Sequence, residues 1–350
     1  MTTYILKFIA AFLCTFISGV FFRGIALRTG LLDRPVEQRK SHEGAVPLLG
    51  GAAVFAGVMA GMGVCFRCPG NISVLLICGA MIFILNLIDD AVGLSARIRL
   101  FVEISVSLVM IFLADARISF MPSGLAGDSA EILITVIWFV GMTNAVNYMD
   151  GLDGLASGIT AIAAAFFAGM LFYTRQPQLA SVALVLVASS IAFMPYNFSK
   201  NKKMFLGDAG STFMGFMLAG IGVMGHWATY DTVRLTAPVL VLGVPIFDMT
   251  FTTVMRTLEG KIHNLSEWMH YADRDHFHHS LLDIGFRPRR AVYFIWLVCV
   301  ILGLSGLLVR KNMNIEAMVA LFQAILIFWM VGLLIVMGRR KHNGKEKICE

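Results

Sequence analysis

Charge is what this chain has least of. Asp, Glu, Lys and Arg make up 14% of its 350 residues while hydrophobic residues make up 58%, and the mean hydropathy is +0.78. So few charges cannot coat a soluble globule of this size, so the chain reads as an integral membrane protein. A disulfide framework is also missing. Of six cysteines, Cys14, Cys78 and Cys299 fall inside apolar runs and Cys349 in the tail. Cys65 and Cys68 form one CxxC with no second pair or redox fold around it, which reads as packing ahead of a local disulfide. No clear small-residue cleavage site precedes Arg23, so the first apolar run is expected to be a retained span. No internal repeat is visible, which counts against the two related halves of a secondary transporter.

What the chain does have is apolar runs of helical length: Tyr4 to Leu27, Leu49 to Phe66, Ile72 to Ile88, Leu100 to Ala114, Ile132 to Asn147, Leu155 to Tyr173, Leu179 to Pro195, Thr212 to Trp227, Leu235 to Met255, Val292 to Val309 and Ala317 to Met337. They predict an all-α, polytopic membrane helix bundle of about eleven transmembrane helices, forming one domain over residues 1–350. With the N-terminus outside, 21 of the 28 Lys and Arg residues fall in inner loops, so the positive-inside rule puts the C-terminus in the cytoplasm. The net charge of +6 reflects this topology and is no argument for nucleic acid. Basic inner loops also favour anionic headgroups and a phosphorylated substrate.

The inner loops, near residues 28–48, 89–99, 147–155, 197–211 and 256–290, hold the chemistry. In the first, Arg39, Lys40 and His42 form a cationic cluster able to hold a lipid phosphate, or simply mark topology. Asp89 and Asp90 end the third apolar run. Adjacent carboxylates there repel one another and lose solvation, which suits a divalent cation such as Mg²⁺; the alternative is a solvated interfacial cap with Arg97 and Arg99 as neighbours. Asn144, Asn147, Asp150 and Asp153 recur every three residues and would share one face if the helix continued that far, whereas a turn would use the same Asn, Asp and Gly residues as ordinary turn formers. Three lysines (Lys200, Lys202, Lys203) precede Gly207 to Ser211, which opens a helix whose free N–H groups attract phosphate. Asp208 there reads as a metal ligand or as an N-cap. The last inner loop carries His263, His270, His276, His278 and His279, five of the eight histidines. They suit phosphate contact first, zinc second, and an inert polar turn third. Asp248 and Arg256 lie eight residues apart on one predicted helix.

Taken together, DRPVEQRKSHEGAVPLLGG, LIDDAVG, NAVNYMDGLDGLASG, FLGDAGS and DRDHFHHSLLDIGF, in that order, resemble the polyprenyl-phosphate N-acetylhexosamine-1-phosphate transferases over nearly the whole chain. The resemblance implies an eleven-helix bundle around a cytoplasmic cleft in the bacterial inner membrane. It implies that Asp89 and Asp90 lie at the reacting phosphates and that Asp208, with Asp90, binds Mg²⁺, for which Mn²⁺ can substitute. By the same resemblance, Asn147, Asp150 and Asp153 belong to the nucleotide-sugar cleft, Phe205 stacks on uracil, and His276, His278 and His279 meet the diphosphate or the sugar. Lys40 and His42 would lie near the phosphates, and Arg256 is a further substrate-binding candidate.

The implied reaction moves a sugar-1-phosphate, with GlcNAc first among the sugars, from a UDP-N-acetylhexosamine to undecaprenyl phosphate. The His276, Phe277, His278 order is similar to the branch that starts O-antigen, common-antigen or teichoic-acid units and departs from the adjacent histidines of the peptidoglycan branch, the phospho-MurNAc-pentapeptide transferases. Direct attack and an aspartyl intermediate both fit. Nothing in the sequence sets the oligomeric state, so a homodimer stays open. The rival readings from other classes are a secondary transporter, predicting carboxylates near mid-span, and a zinc membrane hydrolase built on the histidines.

Overall fold

The computed structural model describes residues 1–33, 44–64, 69–227, 235–263, 275–309 and 314–349. Lys40, His42 and the Cys65–Cys68 pair lie outside the described residues. These residues divide into two compact units, Met1–His226 and Trp227–Glu350.

The first unit holds α1 (Thr2–Thr29), α2 (Gly50–Gly63), α3 (Gly70–Val92), α4 (Ala96–Ala114), α5 (Leu125–Tyr148), α6 (Leu155–Tyr173), α7 (Pro177–Asn197) and α8 (Gly207–Met224). Its centre is α8, buried along almost its whole length. A helix that is apolar all round must sit inside a bundle, and α8 does so between α2, α3 and α5. Small residues permit the close approach. A Cβ at Gly215 would stand 2.7 Å from the Met142 carbonyl oxygen of α5, so the two backbones touch as small-residue membrane contacts do. Stacked Phe55 and Phe83, 4.3 Å apart, close on the edge of Phe213 and join α2, α3 and α8. The outside of the unit is apolar as well: Ile9, Leu13, Phe16, Ile17, Val20 and Phe21 of α1 are exposed, as expected of a surface wetted by lipid.

Two short strands, β1 (Leu32–Asp33) and β2 (Val46–Pro47), pair antiparallel with Leu32 opposite Pro47. They flank the stretch of sequence that includes Lys40 and His42. Beyond β2 the chain runs beside residues 205 and 206: Phe205 N–H donates to the Pro47 carbonyl at 2.8 Å, and Gly51 N–H to that of Leu206 at 2.7 Å.

The second unit holds α9 (Thr236–Val241), α10 (Gly243–Leu258), α11 (Phe277–Asp283), α12 (Pro288–Leu308) and α13 (Asn314–Cys349). The ninth apolar run, expected as one span, is broken here at Leu242 between α9 and α10. Pro245 accounts for the break, because it lacks the N–H that would bond to the residue 241 carbonyl and its ring crowds that oxygen.

Among the described residues the eleven apolar runs are helical over most of their length, and seven helices are long and apolar enough to cross a membrane: α1, α3, α5, α6, α7, α12 and the Ile315–Val336 part of α13. The protein is an all-α, multi-pass membrane protein. Cys14, Cys78 and Cys299 are free thiols within helices.

At the N-terminal end of α5 the Glu131 carboxylate is buried and accepts from Phe120 N–H (2.7 Å), Met121 N–H (2.8 Å) and Ser119 Oγ, with Arg117 Nε at 3.3 Å. It pins the 115–124 connection to the helix. Glu131→Ala would leave two backbone donors without a partner, a loss on the order of 3 kcal/mol. Thermal unfolding in detergent should show a lower Tm. At low temperature turnover should be kept, because Glu131 lies about 24 Å along α5 from Asn147.

Candidate active site

Six helix ends meet at one end of the first unit: the C-termini of α3, α5 and α7 and the N-termini of α4, α6 and α8. They bring together Asp89, Asp90, Asn147, Asp150, Asp153, Phe205 and Asp208 of the predicted residues.

Asp89 and Asp90 are neighbours on the last turn of α3, and consecutive helical positions do not face the same way. Asp89 turns to α4, accepting from Leu94 N–H and, at 2.8 Å, from Arg99 Nη1. The same guanidinium nitrogen stands 3.8 Å from Asp208 Oδ2. Arg99 is therefore part of the site, not a solvated neighbour. Asp90 turns to α8, where its carboxylate accepts from the backbone N–H of Ala209 at 3.3 Å and from that of Asp208. The N–H groups expected to be free for phosphate are thus capped by a carboxylate from another helix. A carboxylate at the positive end of α8 is well placed electrostatically.

Gly207 makes the capping possible. Its φ is +75°, and an added Cβ would sit 2.8 Å from the Leu48 carbonyl oxygen and 2.9 Å from Asp90 Oδ2. Only glycine satisfies the conformation and the space together.

The expectation that Asn144, Asn147, Asp150 and Asp153 share one helical face holds for the two asparagines only. α5 ends at Tyr148, and a turn through Met149 to Gly154 carries the two carboxylates. Asn147 accepts from Ser211 Oγ at 2.7 Å and hydrogen-bonds the Asp208 carboxylate. Asn144 donates at 2.7 Å to Glu103, a buried carboxylate one turn along α4 from Arg99. Asp153 pairs with Lys203 at 2.8 Å, and the Lys203 ammonium lies 5.1 Å from the centre of the half-buried Phe205 ring. Asn197, buried at the end of α7, accepts from Gly154 N–H and donates to the Met204 carbonyl at 3.1 Å, tying the two loops together.

Burial first, then the charges of Asp208, Asp153 and Asp90, pushes the Asp150 pKa well above the ordinary carboxylate range. Such a cluster calls for a proton or a cation. An unfolded chain gives up the Asp150 proton near pH 4 while the folded one retains it. Stability therefore falls as pH rises from about 4 through the folded pKa. Asp150→Asn should flatten this dependence and raise Tm at neutral pH in EDTA, as measured by unfolding in detergent between pH 4 and 8. An unchanged pH profile would remove the assigned repulsion.

In the second unit, Asp248, Thr252 and Arg256 lie one turn apart along one buried face of α10. Asp248 accepts from His276 Nδ1 at 2.8 Å and from Phe277 N–H. Arg256 Nε and Lys261 Nζ both stand 3.5 Å from Asp275 Oδ2. Phe277 is fully buried against Phe247, itself stacked on Phe251 and Phe328, and forms the foot of the histidine cluster. His276, His278 and His279 come together, with His278 centred 6.1 Å from His276 and 4.2 Å from His279. His278 is 1% exposed, and neither ring nitrogen has a hydrogen-bond partner among the described residues. Its burial, with His279 and His276 beside it, lowers its pKa to about 3, so it is neutral.

Sequence reasoning missed two side chains here and gave two others no role. Glu103 is hidden inside an apolar run, and Asn197 looks like any loop residue. Arg99 enters the sequence reading only as a solvated neighbour of the Asp89–Asp90 pair, and Asp248 only as a carboxylate eight residues before Arg256.

Comparison with known proteins gives the family. Residues 72–226 match the family described as Glycosyl transferase family 4. A Bacillus subtilis (strain 168) protein named "Probable undecaprenyl-phosphate N-acetylglucosaminyl 1-phosphate transferase" is 30% identical over 317 residues, 89% of this chain and 86% of the relative. Proteins named "Undecaprenyl-phosphate alpha-N-acetylglucosaminyl 1-phosphate transferase" are 27% identical in Escherichia coli (strain K12), over 93% of this chain and 89% of the relative. The one in Yersinia pestis is 28% identical, over 94% and 89%. With a likeness that runs from the acidic cluster of the first unit into the histidines of the second, the chain belongs to glycosyl transferase family 4, alongside these undecaprenyl-phosphate N-acetylglucosaminyl 1-phosphate transferases.

Proposed function

We propose that this protein transfers N-acetylglucosamine-1-phosphate from UDP-N-acetylglucosamine to undecaprenyl phosphate. The reaction releases UMP and starts a surface glycan of O-antigen, common-antigen or teichoic-acid type. The observation that carries this reading is the meeting of Asp90, Asp150, Asp153 and Asp208 with Arg99 and Lys203 at one end of the helix bundle. The named relatives support the same lipid acceptor and sugar. We further propose a bacterial inner-membrane enzyme with eleven crossings, its N-terminus outside, its C-terminus in the cytoplasm and its acidic end facing the cytoplasm. The one-sided distribution of Lys and Arg supports that orientation.

The donor set fits Mg²⁺, with Mn²⁺ as a substitute. It consists of carboxylate oxygens, and Asp208, whose side chain is 46% exposed, is more accessible than Asp89 or Asp153. Among the described residues no three His, Cys, Asp or Glu side chains close around a metal. That suits a hard ion which takes most of its ligands from water and substrate phosphates. Asp208 would hold it, with Asp90 as second ligand, and bound there it would neutralise charge on the diphosphate oxygens.

The protein's own groups do the remaining work. Arg99, reaching Asp89 and Asp208, supplies a fixed positive charge beside the phosphates. Asn147 holds the Asp208 carboxylate in place. Lys203, set by Asp153, frames the Phe205 ring on which uracil would stack. Lys40, His42 and Arg256 are proposed phosphate contacts, and His276, His278 and His279 contacts to the diphosphate or sugar. An oxygen of the lipid phosphate bonds to the sugar-bearing phosphorus as its bond to the bridging oxygen breaks, and UMP leaves with that electron pair. A phosphomonoester has a second pKa of about 6, so the lipid phosphate is nucleophilic at neutral pH without a base. Asp89 and Asp90 are already committed to N–H donors and Arg99, which favours direct attack over an aspartyl intermediate.

The test uses purified protein in detergent with undecaprenyl phosphate, Mg²⁺ and radiolabelled UDP-sugars, following lipid-extractable label and UMP. Label from UDP-N-acetylglucosamine, lost with EDTA, is the expected result. Transfer from another sugar alone, or from none, would overturn the proposal.

A further inference from the structure

Asp248 has no place in the reaction described above, yet it is 0% exposed and lies on the broken ninth segment. A carboxylate taken so completely from water must be matched by donors. Among the described residues two are present, and both come from the histidine segment. Phe277 N–H meets Oδ1, and His276 Nδ1 meets Oδ2 at 2.8 Å. The first bond and the Phe277 ring, sunk among Phe247 and Phe294, already anchor the backbone. The second bond adds only ring orientation.

We propose that Asp248 is a positioning residue for His276: it fixes the imidazole as the Nδ1–H tautomer and keeps Nε2 as the nitrogen that works on the substrate. An ionised carboxylate can only accept, so Nδ1 must carry the hydrogen in that bond. A carboxylate or carbonyl behind a functional histidine fixes both ring orientation and tautomer, and raises the basicity of the far nitrogen. The inference rests on the transferase reading for the identity of the substrate, not for the tautomer.

Neither Asp275 nor His278, its neighbours on the same segment, offers a substitute. Asp275 is shared between Arg256 and Lys261. His278 is neutral, with its ring nearly parallel to that of His276 at an interplanar angle of 10°, and has no ionised oxygen to give. Asp248, 2.8 Å from Nδ1, is the partner that selects the tautomer.

Asp248→Asn tests this. The amide is nearly the same size, but its oxygen is no longer ionised and its NH₂ favours an acceptor at Nδ1, which inverts the tautomer. The expected result is a kcat lower by about 10²-fold or more, with KM for the UDP-sugar changed by less than about threefold; the wrong tautomer in a comparable Asp–His pair costs up to about 10⁴. Asp248→Glu should recover part of the loss. His276→Gln combined with Asp248→Asn should be no slower than His276→Gln alone. A ¹⁵N-histidine NMR spectrum of the full-length protein in detergent should hold one ring in the Nδ1–H form, absent in His276→Gln and shifted to Nε2–H in Asp248→Asn. An unshifted ring in Asp248→Asn, or additive losses in the double variant, would overturn the proposal. Should the wild type transfer no sugar, the transferase reading fails, and the spectrum still decides the role of Asp248.

Discussion

Asp208→Asn is expected to lower turnover by about 10³-fold, with the protein still inserted and its unfolding transition intact. The side chain is 46% exposed at the mouth of the acidic cluster, so replacing it with an isosteric amide costs little in packing. The charge is what is lost. Asn147 can hydrogen-bond an amide as well as a carboxylate, so the side chain should stay where it is, but Arg99, 3.8 Å away, would then be drawn wholly to Asp89. Charge neutralisation of a phosphoryl group in flight is worth several kcal/mol, and each 1.36 kcal/mol is about a factor of ten in rate. The effect should fall on kcat more than on KM for undecaprenyl phosphate, because the lost interaction acts on charge in the transition state. Steady-state assays at saturating Mg²⁺ decide it. Wild-type turnover in the variant would remove the metal role proposed for Asp208 and move it to Asp90.

How far the sequence reaches is clearest in this same cluster. Composition alone required membrane helices, because there is too little charge for any other surface. The carboxylates could be found because charge next to an apolar run is costly and therefore conspicuous. Their partners could not. Arg99 is ten residues beyond Asp89 across a helix break, and a basic residue beside an apolar run already has a topological explanation. Glu103 and Asn144 satisfy one another between α4 and α5, a pairing that no periodicity reveals. The continuous face through Asp153 failed for a local reason: three residues per step is a helical spacing only while the helix continues, and Met149 to Gly154 turns instead, with Gly154 at φ +78°. The split ninth segment did have a signal in Gly243 and Pro245, which its apolar character outweighed. Asp248 was visible as a lone carboxylate, but its meaning depends on His276, which only the folded chain brings to it.

Gly207→Ala, which adds only a methyl group, should cost about 10²-fold in rate, within a factor of about ten of losing the Asp208 carboxylate. Two costs coincide at this position. Alanine at φ +75° is strained by about 1 kcal/mol, and its Cβ would press on the Leu48 carbonyl at 2.8 Å and the Asp90 carboxylate at 2.9 Å. The carbonyl belongs to backbone tied through Gly50 and Gly51 to residues 205 and 206, so it cannot retreat without moving Phe205. The Asp90 side chain can retreat, and in doing so it gives up the backbone N–H groups of Asp208 and Ala209. Either movement shifts a proposed substrate or metal contact by a sizeable fraction of an ångström, and a 1 Å misplacement costs about 10²-fold in rate. The expected result is a loss of about that size with a Tm a few degrees lower. Gly169→Ala is the control, since nothing lies within 4 Å of a Cβ built there and it sits within α6; a helical Gly→Ala change should be neutral or stabilising. Full activity in Gly207→Ala would mean that the Asp90 cap on α8 is dispensable, and the acidic cluster would then have to be held in place by Asn147 and Arg99 alone.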